Sequence, residues 1–455
     1  MVRSEYECEN CDERFVKESG DPVLKDECPN CGSNLIQVRI LESDGENESE
    51  ENESDMEEDK RFIEKQSSDS SDSSDETINP SKVKITGGEE VEPPEEIKSK
   101  VKEFYDFKRI RKEEDVFIFD ITNVKESNFE RIVDEFKKLN KIPAIRQKNG
   151  LKLIVAPKEK DEGYNSMINV ILFLITIGST LLAGYSLSAG NPYVEGSPIF
   201  NAVAFSVSLL AILGTHEMGH KILSYKHNIS ATFPYFIPFP NIIGTMGAVI
   251  RMKDPIPTKD AAIDVGAAGP ISGAIVAIPV TIIGLSLSTV VPASQISTQG
   301  GILFGDNLLF LGLQKLLITV PEDHILLIHP IAIAGWVGLF VTSLNLMPVA
   351  QLDGGHIARV VLGERIHDLL SKGISIFLLA TGLTFFLPGD MLELPISPIY
   401  IIWGVLLIFM SRAGHPGALN EIDNISRKRK IIALIAAILF IITFTPKAIW
   451  ISNGF

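Results

Sequence analysis

The chain has 455 residues, enough for two or three domains of roughly 150 residues each, and its formal net charge is −16 at pH 7. The acidity is uneven: residues 1–100 contain 30 Asp and Glu against 12 Lys and Arg, whereas residues 101–455 contain 28 against 30. We therefore expect no nucleic-acid partner, because neutralising phosphates requires clustered basic side chains. All four cysteines lie within the first 31 residues, which argues against a disulfide-stapled secreted protein.

These four cysteines have the spacing of a structural zinc site. They form two C-x2-C pairs separated by 16 residues, the kind of spacing at which four thiolates can close a tetrahedron. We expect a zinc-ribbon-like domain at residues 1–40 with Zn²⁺ bound by Cys8, Cys11, Cys28 and Cys31. A rubredoxin-like iron is an alternative, since spacing alone does not select the metal.

The next two segments differ sharply in composition. Residues 41–100 are rich in Glu, Ser, Asp and Asn and are predicted to be an acidic disordered linker, because they cannot bury enough apolar surface to offset the entropy of ordering. Residues 101–160 predict a small α/β module of β-α-β-β order, without a motif that indicates catalysis. Its elements are a strand at 116–123, a helix at 127–140, and two strands within 143–157 joined at Asn149-Gly150.

Long apolar stretches recur from residue 165 onward and predict a transmembrane domain at residues 161–455. The expected spans are 166–187, 199–222, 260–285, 328–347, 368–387, 397–411 and 431–450. Two further apolar stretches, 233–250 and 302–320, are interrupted by Pro, Gly or charge and are expected to be re-entrant, interfacial or hairpin elements. The predicted fold class is a multi-span α-helical membrane protein of about seven transmembrane helices, preceded by the zinc ribbon and the β-α-β-β module.

Basic residues between the spans predict the orientation. They cluster after the second span, before the third, after the fourth and between the sixth and seventh, whereas the opposite loops contain few. By the positive-inside rule, the basic loops face the cytoplasm. We therefore expect a multi-pass protein of the cell membrane, with the lipid bilayer as a partner and the amino terminus in the cytoplasm.

The second predicted span contains three ionisable side chains, His216, Glu217 and His220. Such groups are costly inside a membrane unless they have partners. His216 and His220 are one helical turn apart and can both offer an imidazole nitrogen to one ion. Glu217 follows about 100° around the helix, and H-E-x-x-H is the spacing of zinc metalloproteases, in which the glutamate is the general base. The alternative is a buried polar cluster that only holds helices together.

A catalytic zinc needs a third protein ligand and an open position for water. The candidate segment is Thr342–His356, where Pro348 and two glycines interrupt a helix at membrane depth. Asp353 and His356 are both candidates for the third ligand on the residues alone. Asn345 offers an amide N–H to a developing oxyanion, although helix packing is an alternative role.

The segments HEMGH and NLMPVAQLDGG resemble the site-2 protease family of intramembrane zinc metalloproteases, whose pattern is HExxH followed by an N-x-x-P…LDG motif. The resemblance covers about residues 165–420 and is strongest to the branch that includes the plant chloroplast proteases required for ethylene-dependent gravitropism. It implies two zinc-binding histidines and favours the aspartate over His356 as the third ligand. The implied roles are zinc ligands for His216, His220 and Asp353, general base for Glu217, and stabilisation of the tetrahedral intermediate for Asn345.

The implied function is a metalloendopeptidase that hydrolyses peptide bonds in or near the transmembrane segments of membrane-protein substrates. The segment 239–250 is expected either to pair with an unwound substrate as an added strand or to pack over the site as a loop. Two competing hypotheses are a catalytically silent membrane scaffold and a metal transporter. The sequence does not indicate the substrate or the oligomeric state.

Overall fold

The computed structural model describes residues 3–8, 14–18, 35–41, 89–147, 150–158, 163, 165–295, 302–384 and 399–451. The chain divides into two units, Met1–Glu76 and Thr77–Phe455. In the first unit, β1 (Arg3–Cys8), β2 (Arg14–Glu18) and β3 (Leu35–Leu41) form an antiparallel sheet in the order β2-β1-β3. Cys8 is the last residue of β1, whereas Cys11, Cys28 and Cys31 lie outside the described residues, so the zinc ribbon stays a prediction.

The second unit begins with a small α/β module at residues 89–158, hereafter the module. The five strands of its sheet pair antiparallel in the order β4-β5-β6-β8-β7. The predicted strand, helix and strand pair are all present, and the structure adds a preceding helix and two strands. The elements are β4 (Glu89–Glu90), α1 (Glu95–Phe104), β5 (Tyr105–Glu113), β6 (Val116–Val124), α2 (Phe129–Lys137), β7 (Lys141–Gln147) and β8 (Leu151–Pro157).

The prediction that residues 41–100 form a disordered linker is wrong at both ends of that range. Leu41 ends β3, and helix α1 begins at Glu95. In α1, Ile97, Val101 and Phe104 recur at helical spacing, and all three side chains are buried in the core of the module. The acidic composition of the whole segment concealed this short amphipathic pattern. Residues 42–88 lie outside the described part of the chain.

Helices occur at all seven positions where the sequence predicts a membrane span. In chain order, the helices of this part are α3 (Ser166–Ser188), α4 (Pro198–Lys226), α5 (Lys259–Ser286), α6 (Leu308–Leu317), α7 (Pro330–Asn345), α8 (Asp353–Leu362), α9 (Glu364–Leu383), α10 (Ile399–Arg412) and α11 (Arg427–Thr443). Among the described residues, α3, α4, α5 and α9 are long and apolar enough to cross a membrane. The helices at the other three positions have 16, 14 and 17 residues, fewer than the roughly 20 that a bilayer requires. Length and composition therefore support four of the seven predicted spans.

The two interrupted apolar stretches contain short strands. In the first, β9 (Tyr235–Pro238) and β10 (Thr245–Val249) pair as an antiparallel hairpin, as one of the sequence alternatives predicted. The second contains a strand and helix α6. The remaining pairs join β11 (Thr289–Pro292) to β13 (His324–Leu327), and β12 (Ile302–Phe304) to β14 (Ile449–Ile451).

Helix α5 packs against both α4 and α7, and α4 and α7 also contact each other, so the three helices bring the two sequence motifs together. Small residues permit this close approach, as they do in other membrane helix pairs. A Cβ on Gly335 of α7 would lie 2.8 Å from the Thr281 backbone of α5. On the far side of α7, Trp336 is fully buried, stacks on Phe340 and donates a hydrogen bond to the Gly305 carbonyl at 2.6 Å. These contacts fix the helix that leads to the second motif.

The module is joined to loops of the membrane domain by polar contacts. Lys137, at the end of α2, donates to the Asn228 carbonyl at 2.7 Å and to Asp254 at 3.1 Å. Asp254 also accepts a hydrogen bond from the Ser230 N–H at 3.1 Å and pairs with Lys158 at 3.4 Å. A second contact is made by β7, where one N–H donates to the Leu419 carbonyl at 2.8 Å.

The buried Asp254 should make the stability of this docked arrangement depend on pH. Burial alone would raise the pKa of Asp254, but the Ser230 N–H and the ammonium groups of Lys137 and Lys158 outweigh it and hold the pKa below its ordinary value. The ionised Asp254 carboxylate therefore contributes to the free energy of unfolding above the unfolded-state pKa of about 3.9. This contribution is lost as the pH falls through the lower folded-state pKa. Asp254→Asn should lower the free energy of unfolding by about 1–3 kcal/mol at pH 7.

Thermal unfolding of the detergent-purified chain, followed from pH 7 down to acid pH, tests this expectation. The difference in midpoint between wild type and Asp254→Asn should shrink as Asp254 becomes protonated in the wild type. A difference that stays constant down to the most acidic condition would contradict the assignment.

Candidate metal centre

The first motif lies within α4, well inside an apolar helix. His216, Glu217 and His220 are 3%, 6% and 6% exposed, so all three are removed from solvent. Helical spacing places the two histidines on one side of α4, and their rings make an edge contact with centroids 5.0 Å apart. The two imidazoles therefore lie side by side on the buried face of α4.

The two histidines and Asp353 converge on one point. The Nε2 atoms of His216 and His220 are 3.2 Å apart, and the Asp353 Oδ2 lies 3.4 Å from the first and 3.1 Å from the second. We call these three atoms the donor triangle. With zinc–ligand bonds of about 2.0–2.1 Å, the edge of a tetrahedron is about 3.3–3.4 Å, so the donor triangle fits three vertices of a zinc site. The fourth vertex is left for water or substrate.

One imidazole has a defined orientation. His220 Nδ1–H donates a hydrogen bond to the backbone carbonyl of Val265 in α5, at 2.8 Å. This bond places the proton on Nδ1 and leaves the Nε2 lone pair directed into the donor triangle. Metal-ligating histidines usually make such a bond, because it fixes both the tautomer and the plane of the ring.

The turn between α7 and α8 carries Asp353 to the metal centre. Helix α7 ends at Asn345, and α8 begins with Asp353, where the unpaired N–H groups of the first turn favour a negative side chain. A Cβ on Gly354 would overlap the Leu346 carbonyl, and one on Gly355 would overlap the Ala350 carbonyl. The two glycines therefore let the start of α8 fold tightly against the turn.

The two candidates for the third ligand have different neighbours. Among the described residues, the group that can hold a metal ion consists of His216, His220 and Asp353. His356 is buried instead beside His415, with the two imidazole nitrogens 3.0 Å apart. His415 Nδ1 accepts a hydrogen bond from the Gly417 N–H, so His415 Nε2 is the donor and His356 Nδ1 the acceptor. No motif or spacing in the sequence indicated this histidine pair.

Asn345 and Glu217 flank the donor triangle. The Asn345 Nδ2 lies 3.0 Å from His216 Nε2, so its amide reaches the metal centre itself. The Glu217 carboxyl group is near the backbone N–H of Ile250, the residue after β10. Glu217 is not one of the three converging residues, which leaves its carboxyl group available for a proton.

Three glycines of α5 form the wall of the metal centre, and sequence reasoning did not assign them a role. A Cβ on Gly269 would overlap the His220 imidazole, and one on Gly273 would lie 3.1 Å from His216 Nδ1. A Cβ on Gly266 would lie 2.8 Å from the Asp353 carbonyl oxygen. Their spacing of three and four residues in the sequence DVGAAGPISG was the available signal, because it places them on one face of α5.

An apolar groove of about 520 Å³ lies between α3 and α4. On the α4 side it is lined by Leu210, Gly214 and Met218, the last of which adjoins Glu217 in sequence. The chain before β9 closes one end, and Asn169 of α3 donates hydrogen bonds to two of its carbonyls at 2.8 and 2.9 Å. The groove thus offers apolar surface along the helix that carries the candidate base.

Comparison with known proteins gives several relatives that are named probable zinc metalloproteases. The chain is 30% identical over 303 residues to the probable zinc metalloprotease EGY1, chloroplastic, of Arabidopsis thaliana, covering 62% of this chain and 53% of that protein. It is 27% identical over 304 residues to the protein of the same name from Oryza sativa subsp. japonica, covering 62% and 50%. Identity to the probable zinc metalloprotease EGY2, chloroplastic, of Arabidopsis thaliana is 28% over 243 residues, covering 52% and 40%.

The chain therefore spans about half the length of the first curated relatives it matches. No solved structure matches it. The family model for peptidase family M50 matches residues 204–389, the stretch that contains both sequence motifs and the whole donor triangle. Residues 204–389 are thus similar to peptidase family M50.

Proposed function

We propose that this chain is an intramembrane zinc metalloendopeptidase that hydrolyses peptide bonds in or near the transmembrane segments of membrane proteins. The proposal rests mainly on the donor triangle, with the buried Glu217 in the same helix as its two histidines. The match of residues 204–389 to peptidase family M50 and the zinc metalloprotease names of the relatives support the same activity.

In the proposed mechanism, His216, His220 and Asp353 would hold the zinc ion. When bound there, Zn²⁺ would act as a Lewis acid that lowers the pKa of a water molecule and polarises the scissile carbonyl. Glu217 takes the proton from the attacking water and delivers it to the amine as the C–N bond breaks. The Asn345 amide N–H donates to the carbonyl oxygen while that oxygen carries negative charge. The buried setting strengthens both of these interactions.

The substrate would enter from the bilayer along the apolar groove between α3 and α4. A transmembrane helix must unwind before cleavage, since its backbone groups are already paired within the helix. We propose that β10 then pairs with the extended substrate, as in other cases of strand addition. The position of Ile250 next to Glu217 supports this role, because the end of β10 leads directly to the general base.

Three further features belong to the proposal. The amino-terminal cysteines would bind a second, structural zinc through Cys8, Cys11, Cys28 and Cys31. The protein would be a multi-pass protein of the cell membrane, with about seven spans and a cytoplasmic amino terminus, as the basic loops favour. Its partners would be the bilayer and a membrane-protein substrate, without nucleic acid.

Replacing the general base should separate catalysis from metal binding. Glu217→Gln should lower the cleavage rate of a single-span substrate in proteoliposomes by about 10²–10⁴-fold. This is the usual contribution of general acid–base catalysis. Its zinc content should match wild type, because Glu217 does not belong to the donor triangle. Equal product from both proteins would contradict hydrolysis at this site and favour a scaffold.

Zinc stoichiometry should identify the ligands. Elemental analysis of the purified full-length chain should give two zinc ions per wild-type chain, one for Asp353→Ala, and two for His356→Ala, since His356 is bonded to His415 instead. The double variant Cys28→Ser/Cys31→Ser should contain one ion, held by the donor triangle. Loss of an ion from His356→Ala with retention in Asp353→Ala would reverse the assignment of the third ligand.

A single methyl group on α5 should disable the metal centre. Gly269→Ala places a Cβ where it overlaps the His220 imidazole, so we expect loss of the zinc ion of this site and of cleavage together. Gly178→Ala in α3 is the matched control, because no atom lies within 4 Å of its added Cβ. Normal zinc content and turnover in Gly269→Ala would show that α5 does not form the wall of the metal centre.

A further inference from the structure

A chain of charged groups connects the module to the metal centre. It begins at Glu130 in the first turn of α2 and passes through His227, the residue that caps the end of α4. His227 Nδ1–H donates to Glu130 at 2.8 Å, and its Nε2–H donates to Asp264 of α5 at 3.0 Å. We call these three side chains the carboxylate–imidazole bridge.

His227 is suited to hold both carboxylates at once. The hydrogen bonds with Asp264 and then with Glu130 raise the pKa of His227 to about 9, against the opposing effect of burial. At neutral pH the ring is therefore an imidazolium with both N–H groups donating. His227 and Asp264 are buried, whereas the Glu130 side chain at the outer end of the bridge is 33% exposed.

Asp264 is also fixed from the side of α11. Arg429 donates from Nε to Asp264 Oδ1 at 3.0 Å and from Nη2 to Oδ2 at 2.7 Å, a two-bond arrangement that defines the direction of the carboxylate. Arg429 Nη1 lies 3.7 Å from Asp260, one turn earlier in α5. The beginning of α5 is thus held by groups from α2, α4 and α11.

The residue after Asp264 touches the metal centre. Val265 provides the carbonyl that accepts the His220 Nδ1–H bond, and Gly266 lies against the Asp353 backbone. A shift of this turn of α5 would move the acceptor of His220 and the wall that limits the donor triangle. Outer partners of a metal ligand typically change metal affinity by about 10–100-fold when they are removed.

We propose that Glu130 and His227 are positioning residues for the metal centre, and that the module serves to hold the Asp264–Val265 turn of α5 against His220. The proposal rests on the proposed zinc site and assigns a role to the module, for which the sequence offered none. It is independent of whether the bound metal performs peptide hydrolysis.

The test measures zinc release rather than cleavage. In the full-length chain, with the amino-terminal cysteine site removed by Cys28→Ser/Cys31→Ser, Glu130→Ala and His227→Gln should each speed zinc loss to a chelator by about tenfold. Both should also shift the visible absorption bands of the Co²⁺-substituted protein, which report ligand geometry. Glu130→Gln should restore much of the wild-type behaviour, because its carbonyl oxygen still accepts from His227.

The matched control is Glu135→Ala on the same helix. Glu135 pairs with Lys100 and Lys138 inside the module, so its loss removes charge and ion pairs from α2 without touching the bridge. Wild-type zinc release in Glu130→Ala, or equal acceleration in Glu130→Ala and Glu135→Ala, would overturn the proposal. Zinc release that follows the expected order in a protein without peptidase activity would overturn the proposed function alone. Absence of zinc from the parent that carries Cys28→Ser/Cys31→Ser would overturn both proposals.

Discussion

The structure depends on three donor atoms from two distant parts of the chain meeting within 3.4 Å in an apolar environment. Two imidazoles come from one helix by spacing alone, but the carboxylate of Asp353 arrives 133 residues beyond His220 along the chain. Bringing them together requires that nothing occupy the space between α4 and the turn before α8. Helix α5 meets this requirement because the residues that face this space are Gly266, Gly269 and Gly273, which have no Cβ atom.

The same helix connects the metal centre to the rest of the molecule. Its first turns carry Asp264 and Val265, which link the docked module on one side to the His220 imidazole on the other. Buried ion pairs of this kind add little net stability compared with apolar packing, but they define a single arrangement of the groups they join. The donor atoms of the metal centre are separated by nearly the edge length of a tetrahedral zinc site. A defined arrangement of α5 helps to keep them at that separation.

Much of the metal centre could be predicted from the sequence, because the H-E-x-x-H pattern fixes its own geometry within one helix. The choice between Asp353 and His356 could not be derived from the residues, since both follow the same break in the helix and only their tertiary contacts differ. Helix α1 was missed because three buried residues were averaged with a long acidic segment. The glycine face of α5 and the bridge at His227 depend on packing between helices that are far apart in sequence. The hydrophobic periodicity of a single helix does not reveal such packing.

The most direct measurement of the central claim is zinc X-ray absorption spectroscopy on the full-length chain carrying Cys28→Ser/Cys31→Ser. The account predicts four-coordinate zinc with only nitrogen and oxygen ligands at about 2.0–2.2 Å, including two imidazoles. Asp353→Ala in the same background should lose this signal. A sulfur shell at about 2.3 Å, a spectrum without imidazole scattering, or an unchanged spectrum in Asp353→Ala would contradict the account.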